Sequence, residues 1–366
     1  MTLAIDSKKS QGAAQWLFVG LTISWLGFIT LFVFKTGKWA ILNVPASAPT
    51  FLFVVAPLLL IVGSALSRVN LSLQSLGLFG LVLGASQLQV NTAALTGSHA
   101  LAPATDSQLK VFNWNPLMWD ENKDQNDFYD FLVEQDADVY VFQERLHNVA
   151  GGQHLVTPDR YFAPQPITRA VPGFLAEYLV LKTNDDFKNH FRDYYFAADQ
   201  QFLVLSRYPI LGHSLDSSDQ FQRVDLDLGE RTLRIFNVHM LLHLEFKNPL
   251  SQEFYEVLSR RHQARVLGFD NLKKDLNQTQ TDYLILGDFN STSAMGNMKE
   301  LLNTHHNLFN YSGEILPVTF EFFGLGLWQI DYALLNLSSH FQVADFKNLN
   351  LNQFSDHYAQ ALTLAY

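Results

Sequence analysis

The chain has no cysteine. That removes disulfide frameworks, zinc–thiolate centres and cysteine nucleophiles, so any metal site must be built from oxygen and imidazole ligands. A second scarcity is local: residues 1 to about 106 carry only Lys8, Lys9, Lys35, Lys38, Arg68, Asp6 and Asp106 as charged side chains. A third is positive charge in the remainder. With those five basic and two acidic residues set aside, residues 107–366 hold 20 Lys+Arg against 33 Asp+Glu, a net of −13. Generic affinity for nucleic acid comes from Lys and Arg displacing counterions, so a domain this acidic is a poor generic binder of it. Any phosphate must be met locally, most simply with a bound cation. At 366 residues the chain exceeds one small domain, and the change in charge density marks where it divides.

What fills the charge-poor part is apolar. Trp16–Phe34, Phe51–Leu66 and Leu71–Val90 are three uncharged runs, and about 20 apolar residues cross a bilayer's hydrocarbon core. Residues 1–90 are therefore expected to form a membrane anchor of about three helices. The first run is too long for the roughly 7–15-residue core of a cleaved signal peptide, and the runs lack the polar face of helices in a soluble domain. Basic flanks mark the cytoplasmic side. The tail and second loop (Lys8, Lys9, Arg68) outnumber the first loop (Lys35, Lys38), and Asn91–Leu109 has no basic residue. The expected arrangement is an internal N-terminus and an extracytoplasmic C-terminal domain. Residues 91–106, small and polar, read as a flexible linker.

From residue 107 the pattern becomes strand, helix, strand. Strand candidates are 109–114, 137–144, 178–183, 201–210, 222–228, 232–241, 282–290 and 329–336. Helical spacing occupies 124–135, with Phe128, Phe131 and Leu132 on one face, and a helix is expected over 251–275 with Arg260, Arg261 and Arg265 on its polar side. Many strands and few helices predict an α/β sandwich, sheet packed on sheet with helices outside.

Several strand candidates end in a polar residue: Asn115, Glu144, Asn237 and His239, Asp288 and Asn290, Asp331, then Asp356 and His357 near the C-terminus. Any one of these is more simply a turn former. As a set they match what hydrolysis of a phosphodiester requires: an oxygen-ligated cation, an oriented water and a proton source. Mg²⁺ is held by one or two carboxylates plus waters, which makes Glu144 the best single ligand, with an amide oxygen from Asn115. Asp288 is the candidate base and Asn290 the candidate orienting group. A His–Asp pair supplies an imidazole of fixed tautomer.

FNWN (112–115), FQER (142–145), LSRYPI (205–210), NVHM (237–240), GDFN (287–290), IDYALL (330–335) and SDH (355–357) occur in the order of the endonuclease/exonuclease/phosphatase superfamily. The chain over about 108–366 resembles that superfamily, in a membrane-anchored bacterial branch. The resemblance implies a four-layered α/β sandwich of DNase I type, preceded by the apolar helices. It implies metal binding by Glu144, with Asn115 and Asp356 nearby. It also implies Asp288 as base, Asn290 and His357 on the phosphate, Asp331 as the partner of His357, and His239 as a second acid. Mg²⁺ is the implied ion, with Mn²⁺ or Ca²⁺ as alternatives. The Asp-Gly that often follows the first-strand Asn is absent, because Pro116 and Leu117 stand there.

Other residues favour plainer readings. His243, four after His239, is more simply a strand-end residue than a metal ligand. Arg207 is a strand-end Arg rather than a phosphate contact, and His262 lies on a solvated helix face. The aromatic run at 320–328 is packing or, in a tethered enzyme, an apolar rim facing lipid. The expected function is hydrolysis of a lipid-linked or envelope phosphate at a bacterial inner or plasma membrane, since a tether raises the local concentration of lipid substrates. The alternatives are an anchored nuclease and a non-catalytic binding module on the same fold.

Overall fold

Alternating apolar residues fold the C-terminal part into two six-stranded sheets packed face to face. The computed structural model describes residues 2–97, 101–102, 107–121, 123–149, 152–156, 180–181, 190–245 and 247–366. Numbered along the chain, the first sheet runs β16 (Gln342–Leu349), β17 (Ala359–Ala365), β1 (Gln108–Trp114), β2 (Val139–Phe142), β7 (Phe202–Ser206), β6 (Tyr195–Asp199). The second runs β12 (His305–Asn307), β15 (Asp331–Asn336), β11 (Asp282–Asp288), β10 (Thr232–His239), β9 (Phe221–Asp227), β8 (Ile210–Leu215). The β1–β2 and β10–β11 pairs are parallel, and the other neighbours are antiparallel. Outside these sheets lie a hairpin, β13 (Phe320–Phe322) with β14 (Leu325–Trp328), and a small sheet of β3 (Leu146–Val149), β4 (Gly152–Val156) and β5 (Val180–Leu181). The candidate strand at 178–183 lies outside the described residues except for β5.

Side chains alternate across each strand. Val111, Val139, Val141, Val204, Val224, Ile235, Leu284 and Leu286 meet between the sheets. Phe112, Tyr140 and Phe142 point the other way, onto Phe128 and Leu132 of α6 (Gln125–Glu134). That helix starts where Asp124 accepts from the backbone N–H groups of Asn126 and Asp127, a side-chain N-cap. Behind the second sheet, Phe236, Val238 and Ile285 pack against Phe269 and Leu272 of α7 (Gln252–Gln278) and Met298 of α8 (Gly296–Thr304). The result is the expected four layers: helix, sheet, sheet, helix. Arg261 and Arg265 depart from expectation. Both are buried on the inner side of α7, because their guanidinium groups cap carbonyls at a strand end: Arg261 donates to Leu242 O at 2.7 Å and Arg265 to Phe289 O at 3.3 Å.

In the first hundred residues, α1 (Thr2–Lys35), α3 (Leu52–Leu66) and α4 (Leu71–Ala85) pack on one another; the short α2 (Asn43–Ala46) lies between the first two and α5 (Thr92–Thr96) follows. Within α1, Gly12–Lys35 is long and apolar enough to cross a membrane, and the two shorter apolar helices have 15 residues each. At 1.5 Å per residue the shorter helices reach about 22 Å, against a hydrocarbon core of about 30 Å. One of the three expected spans therefore has full length. These helices do not hang from a slack tether. Ile29, Phe32, Leu42, Ala46 and Phe53 share an apolar cluster with Phe236, Phe289 and Met295 of the C-terminal domain. Gly296 touches the turn after α1 so closely that a Cβ there would lie 2.3 Å from Thr36 O. Asn91, at the start of the segment expected to be a linker, is buried, and its side chain donates to Phe309 O (3.2 Å) and Ser312 O (2.9 Å). Residues 98–100 and 103–106 of that segment lie outside the described residues.

Candidate active site

Strand register brings the polar strand ends together. In the second sheet Asp288 at the end of β11 is directly opposite His239 of β10 on one side and Asp331 of β15 on the other. In the first sheet Asn115 follows β1, Glu144 follows β2, and His357 precedes β17, which pairs with β1. All these ends lie at the same edge of the sandwich. Gly287 makes the approach possible: at φ +133° it sits where an L side chain is strained, and a Cβ would fall 2.0 Å from Val238 O. That close contact with β10 is why glycine precedes Asp288.

Asp288 is the hub. Its Oδ1 accepts from Asn290 N at 2.7 Å, and its Oδ2 accepts from Asn290 Nδ2 and Asn115 Nδ2, each at 3.2 Å. The Nε2 atoms of His239 and His357 lie 3.5 and 3.8 Å from the same oxygen. Burial, with the nearby Asp331 charge, outweighs the two histidines and raises the Asp288 carboxyl to about 6. His357 Nδ1 bonds Asp331 at 3.1 Å to both carboxylate oxygens, leaving Nε2 facing the site. Burial alone would lower this imidazole, but the charges of Asp331 and Asp288 raise it to about 10. His239 is turned by Gln201, whose Oε1 accepts from Nδ1 at 2.7 Å, so that Nε2 points between Glu144 (3.6 Å) and Asp288.

Glu144 and Asp356 are the candidates to hold a divalent cation, their carboxylates close enough for one charge to act on the other. Asp356 Oδ1 is buried with no hydrogen-bond partner, an unmet acceptor that a cation satisfies. Burial holds the Asp356 carboxyl above its usual range, and the charge of Glu144 adds to this against the opposing His357. Ligand atoms of Asp288, Asp331 and His357 also lie within 4.8 Å of one another. In that cluster His357 Nδ1 is already bonded to Asp331, and Nε2 is the nitrogen that faces the site. Asn115 Oδ1 accepts from Leu117 N (3.0 Å), and its Nδ2 faces Glu144 and Asp288. It ties the two carboxylates together. The missing Asp-Gly is replaced by three consecutive left-handed residues, Leu117, Met118 and Trp119. They are held by Lys123, whose ammonium caps Leu117 O (2.9 Å) and Trp119 O, and by Met118 N on Glu144 Oε2 (3.3 Å). Glu144 (φ +49°) and Asn290 (φ +46°) are left-handed too, strain of roughly 1–3 kcal/mol each that clusters at functional sites.

Other residues singled out from the pattern of the chain fall outside this constellation. Arg207 binds Asp136 and Asp138 at the far end of the first sheet. His262 meets Asn43 Nδ2 at 3.2 Å instead of solvent. The aromatic run forms the β13–β14 hairpin: Phe320 packs on His357 with ring centroids 4.9 Å apart, and Phe323 at the tip is 90% exposed. Of the support, sequence reading singles out only Asn237. Asn113, Gln143, Gln222, Asn237 and Gln360 form a buried amide layer between the sheets, including Gln143 Nε2 to Asn237 Oδ1 at 2.7 Å and Asn113 Nδ2 to Gln360 Oε1 at 3.0 Å. Each occupies an inward position two residues from an apolar inward residue, and polar residues at such positions were the available signal. Ser355 links Asn115 O (2.9 Å) to His357 N (3.0 Å), and Thr319 Oγ1 accepts from Asp331 N (3.0 Å).

Residues 112–357, which run from the first motif strand to the last site histidine, match the model of the Endonuclease/Exonuclease/phosphatase family. No curated protein matches the chain. Solved structures similar to it include a family protein from Leptotrichia buccalis (15% identity, 70% of this chain and 100% of that one, TM-score 0.45). A 3′ phosphatase from Neisseria bound to a product DNA hairpin is similar at 11% identity, 70% and 100% coverage and TM-score 0.45. The human Nocturnin catalytic domain with bound sulfate is similar at 14% identity, 74% and 97% coverage and TM-score 0.43.

Proposed function

Because the chain belongs to the endonuclease/exonuclease/phosphatase family, hydrolases of phosphate esters, we propose that it is a divalent-metal-dependent phosphoesterase acting on a phosphate carried by a membrane lipid. The observation that carries this reading is where the site sits relative to the apolar helices. The loop that leaves Asp288 and Asn290 runs straight into the turn between α1 and α3 and the turn that follows α4. Thr292 Oγ1 donates to Ala46 O (2.6 Å) and Ser293 Oγ to Gln87 O (3.1 Å), while Trp328 of the hairpin donates from Nε1 to Ser47 O (2.8 Å). With α1 in a bilayer, a site fixed this way lies at the membrane surface. The exposed tip of the β13–β14 hairpin, Phe323 with Leu325, then offers an apolar rim to the lipid beside the site. On the charge distribution of the loops, the catalytic domain faces outward from a bacterial inner or plasma membrane.

In this reading residues 1–90 are the anchor and 107–366 the catalytic domain. Glu144 and Asp356 would hold Mg²⁺, with Mn²⁺ or Ca²⁺ as substitutes; a bound cation neutralises charge on the phosphoryl oxygens. Asp288, its lone pairs directed by Asn115 and Asn290, takes a proton from the attacking water. His357, kept protonated by Asp331, places a positive Nε2–H against the phosphoryl group where negative charge develops. Asn290 contacts a phosphoryl oxygen. His239, its ring fixed by Gln201, supplies the proton to the departing oxygen.

The test is phosphate release or bond cleavage by purified full-length protein with Mg²⁺, on undecaprenyl diphosphate and sphingomyelin in vesicles and on plasmid DNA and RNA, with EDTA and His357→Ala as controls. Metal-dependent turnover of a lipid and not of nucleic acid, lost in the variant, is the expected result. Turnover of DNA or RNA alone would replace this reading with an anchored nuclease.

A further inference from the structure

The turn between α1 and α3 does more than join two helices. His243, buried just beyond β10, bridges that turn and the catalytic loop. Its Nδ1 lies 3.1 Å from the backbone carbonyl of Asn290, and its Nε2 bonds Ser47 Oγ. A carbonyl only accepts, so the ring proton is on Nδ1 and Nε2 accepts from the Ser47 hydroxyl. The other acceptor near that hydroxyl, Asn43 O at 2.6 Å, also receives Ser47 N (3.0 Å), so it keeps a donor when the hydroxyl turns to the ring. Burial and the neighbouring Arg265 charge lower His243 to about 3, which keeps this single tautomer across neutral pH. The charged groups around the ring are Arg261 and Arg265, both from α7, and both guanidinium groups cap carbonyls of the adjoining strand ends.

The residue held at the far end of this bridge is under strain. Asn290 is left-handed at φ +46°, and its side chain is directed by Met240 O (2.9 Å) and Asp288. Releasing its carbonyl frees the peptide to relax toward an ordinary conformation. The same turn touches the other side of the site, since Ser47 O accepts from Trp328, whose ring packs on Phe320, which packs on His357.

We propose that His243 is a positioning residue through which the 43–47 turn of the anchor sets the geometry of Asn290, so that the active site is complete only when that turn is seated. This rests on the reading of Asn290 as a phosphate contact. It assigns the anchor a part in turnover as well as in location.

The two ring nitrogens can be separated by substitution. In His243→Asn the side-chain amide nitrogen stands near the Nδ1 position and keeps the bond to Asn290 O. In His243→Gln it reaches toward Ser47 and leaves Asn290 O without its donor. Both remove the same ring packing. The assay is Mg²⁺-dependent hydrolysis of bis(p-nitrophenyl) phosphate by the full-length protein in detergent, per folded molecule, with thermal melting in parallel. A displacement near 1 Å at a reacting group costs on the order of 100-fold. The expected result is kcat lowered about 10- to 100-fold in His243→Gln with KM nearly unchanged, and only a few-fold loss in Ser47→Ala and in His243→Asn, which both keep the donor to Asn290 O and lose the link to the turn. Equal losses in the Asn and Gln variants, or kcat within twofold of wild type for His243→Gln, would overturn the proposal. A second readout needs no turnover. Amide hydrogen exchange across 288–293 should accelerate at least tenfold in His243→Gln and only a few-fold in His243→Asn; unchanged exchange in both overturns the coupling. An inactive wild-type protein would remove the phosphoesterase reading, and exchange alone would then decide whether anchor and loop are coupled.

Discussion

Asp331→Asn changes one charge at nearly constant volume, and its effect on His357 follows from the geometry. Burial alone takes the imidazole below its ordinary value, and Asp331 with Asp288 raises it to about 10. Against an ordinary value near 6.5, with about 1.4 kcal/mol for each pKa unit, the protonated form is favoured by about 5 kcal/mol, in the range of the roughly 3–5 kcal/mol lost when one partner of a buried ion pair is removed. A folded-state pKa above the unfolded one gives stability that is fully present below pH 6.5 and lost as pH rises through about 10. Asp331→Asn should therefore lower Tm at pH 7, by roughly 2–4 °C per kcal/mol for a domain of this size, with the gap to wild type closing toward pH 10. Turnover gives the sharper test. With Asp331 neutral, burial returns His357 to the uncharged form at pH 8, and kcat/KM should fall about 10²- to 10⁴-fold. The alkaline limb of the pH profile should move down by at least two units. Activity should return partly as pH falls toward 6.5, until Asp288 loses its charge near 6. Phosphate release from pH 5 to 10, with melting at each pH, measures both effects. An unmoved alkaline limb together with an unchanged Tm at pH 7 would refute the argument.

Wild type should show an acidic limb near pH 6, and Asp288→Asn should remove it and reduce kcat by at least about 100-fold, as read from the same pH series; an acidic limb that survives would place the base elsewhere. EDTA should abolish turnover, and Glu144→Gln should raise the Mg²⁺ concentration for half-maximal rate at least tenfold, since one carboxylate of two is lost; isothermal titration with Mg²⁺ checks this without substrate. Phe323→Ser, at a tip that is 90% exposed, should raise KM for vesicle-borne substrate severalfold and leave a soluble phosphodiester unaffected. Equal effects on both would remove the lipid-rim role. Gln201→Ala should leave His239 free to rotate, lowering kcat about tenfold while a substrate with a p-nitrophenolate leaving group, which needs little protonation, is spared.

The amino-acid pattern by itself determined the elements. Near-continuous apolar runs bounded by polar residues gave β1, β2, β9, β10, β11 and β15 within a few residues, and the helical spacing at Phe128, Phe131 and Leu132 gave α6. The polar residue at each strand end was legible as well, because an apolar run stops where the chain leaves the core. Where the pattern was weaker it failed. The long candidate at 201–210 holds β7 and stops at the first residue of β8, and β6, β16, β17 and α8 were not read from the pattern.

Tertiary structure decided who faces whom. Asp288 lies opposite Asp331 only through the β11–β15 register, 43 positions apart in the chain, and no spacing rule encodes that pairing. Arg261 and Arg265 look solvated on a helix wheel, yet they are buried because the carbonyls they cap come from strand ends in another part of the chain. His243 looked like a strand-end residue, and only packing puts Ser47, 196 residues away, against its ring. Periodicity reports which side of an element meets water, a local property of 3.6 or 2 residues per repeat. The partner of a buried polar group is a long-range property, fixed when the sheets pair and the apolar helices seat against them, and that step fixes the position of the site relative to those helices.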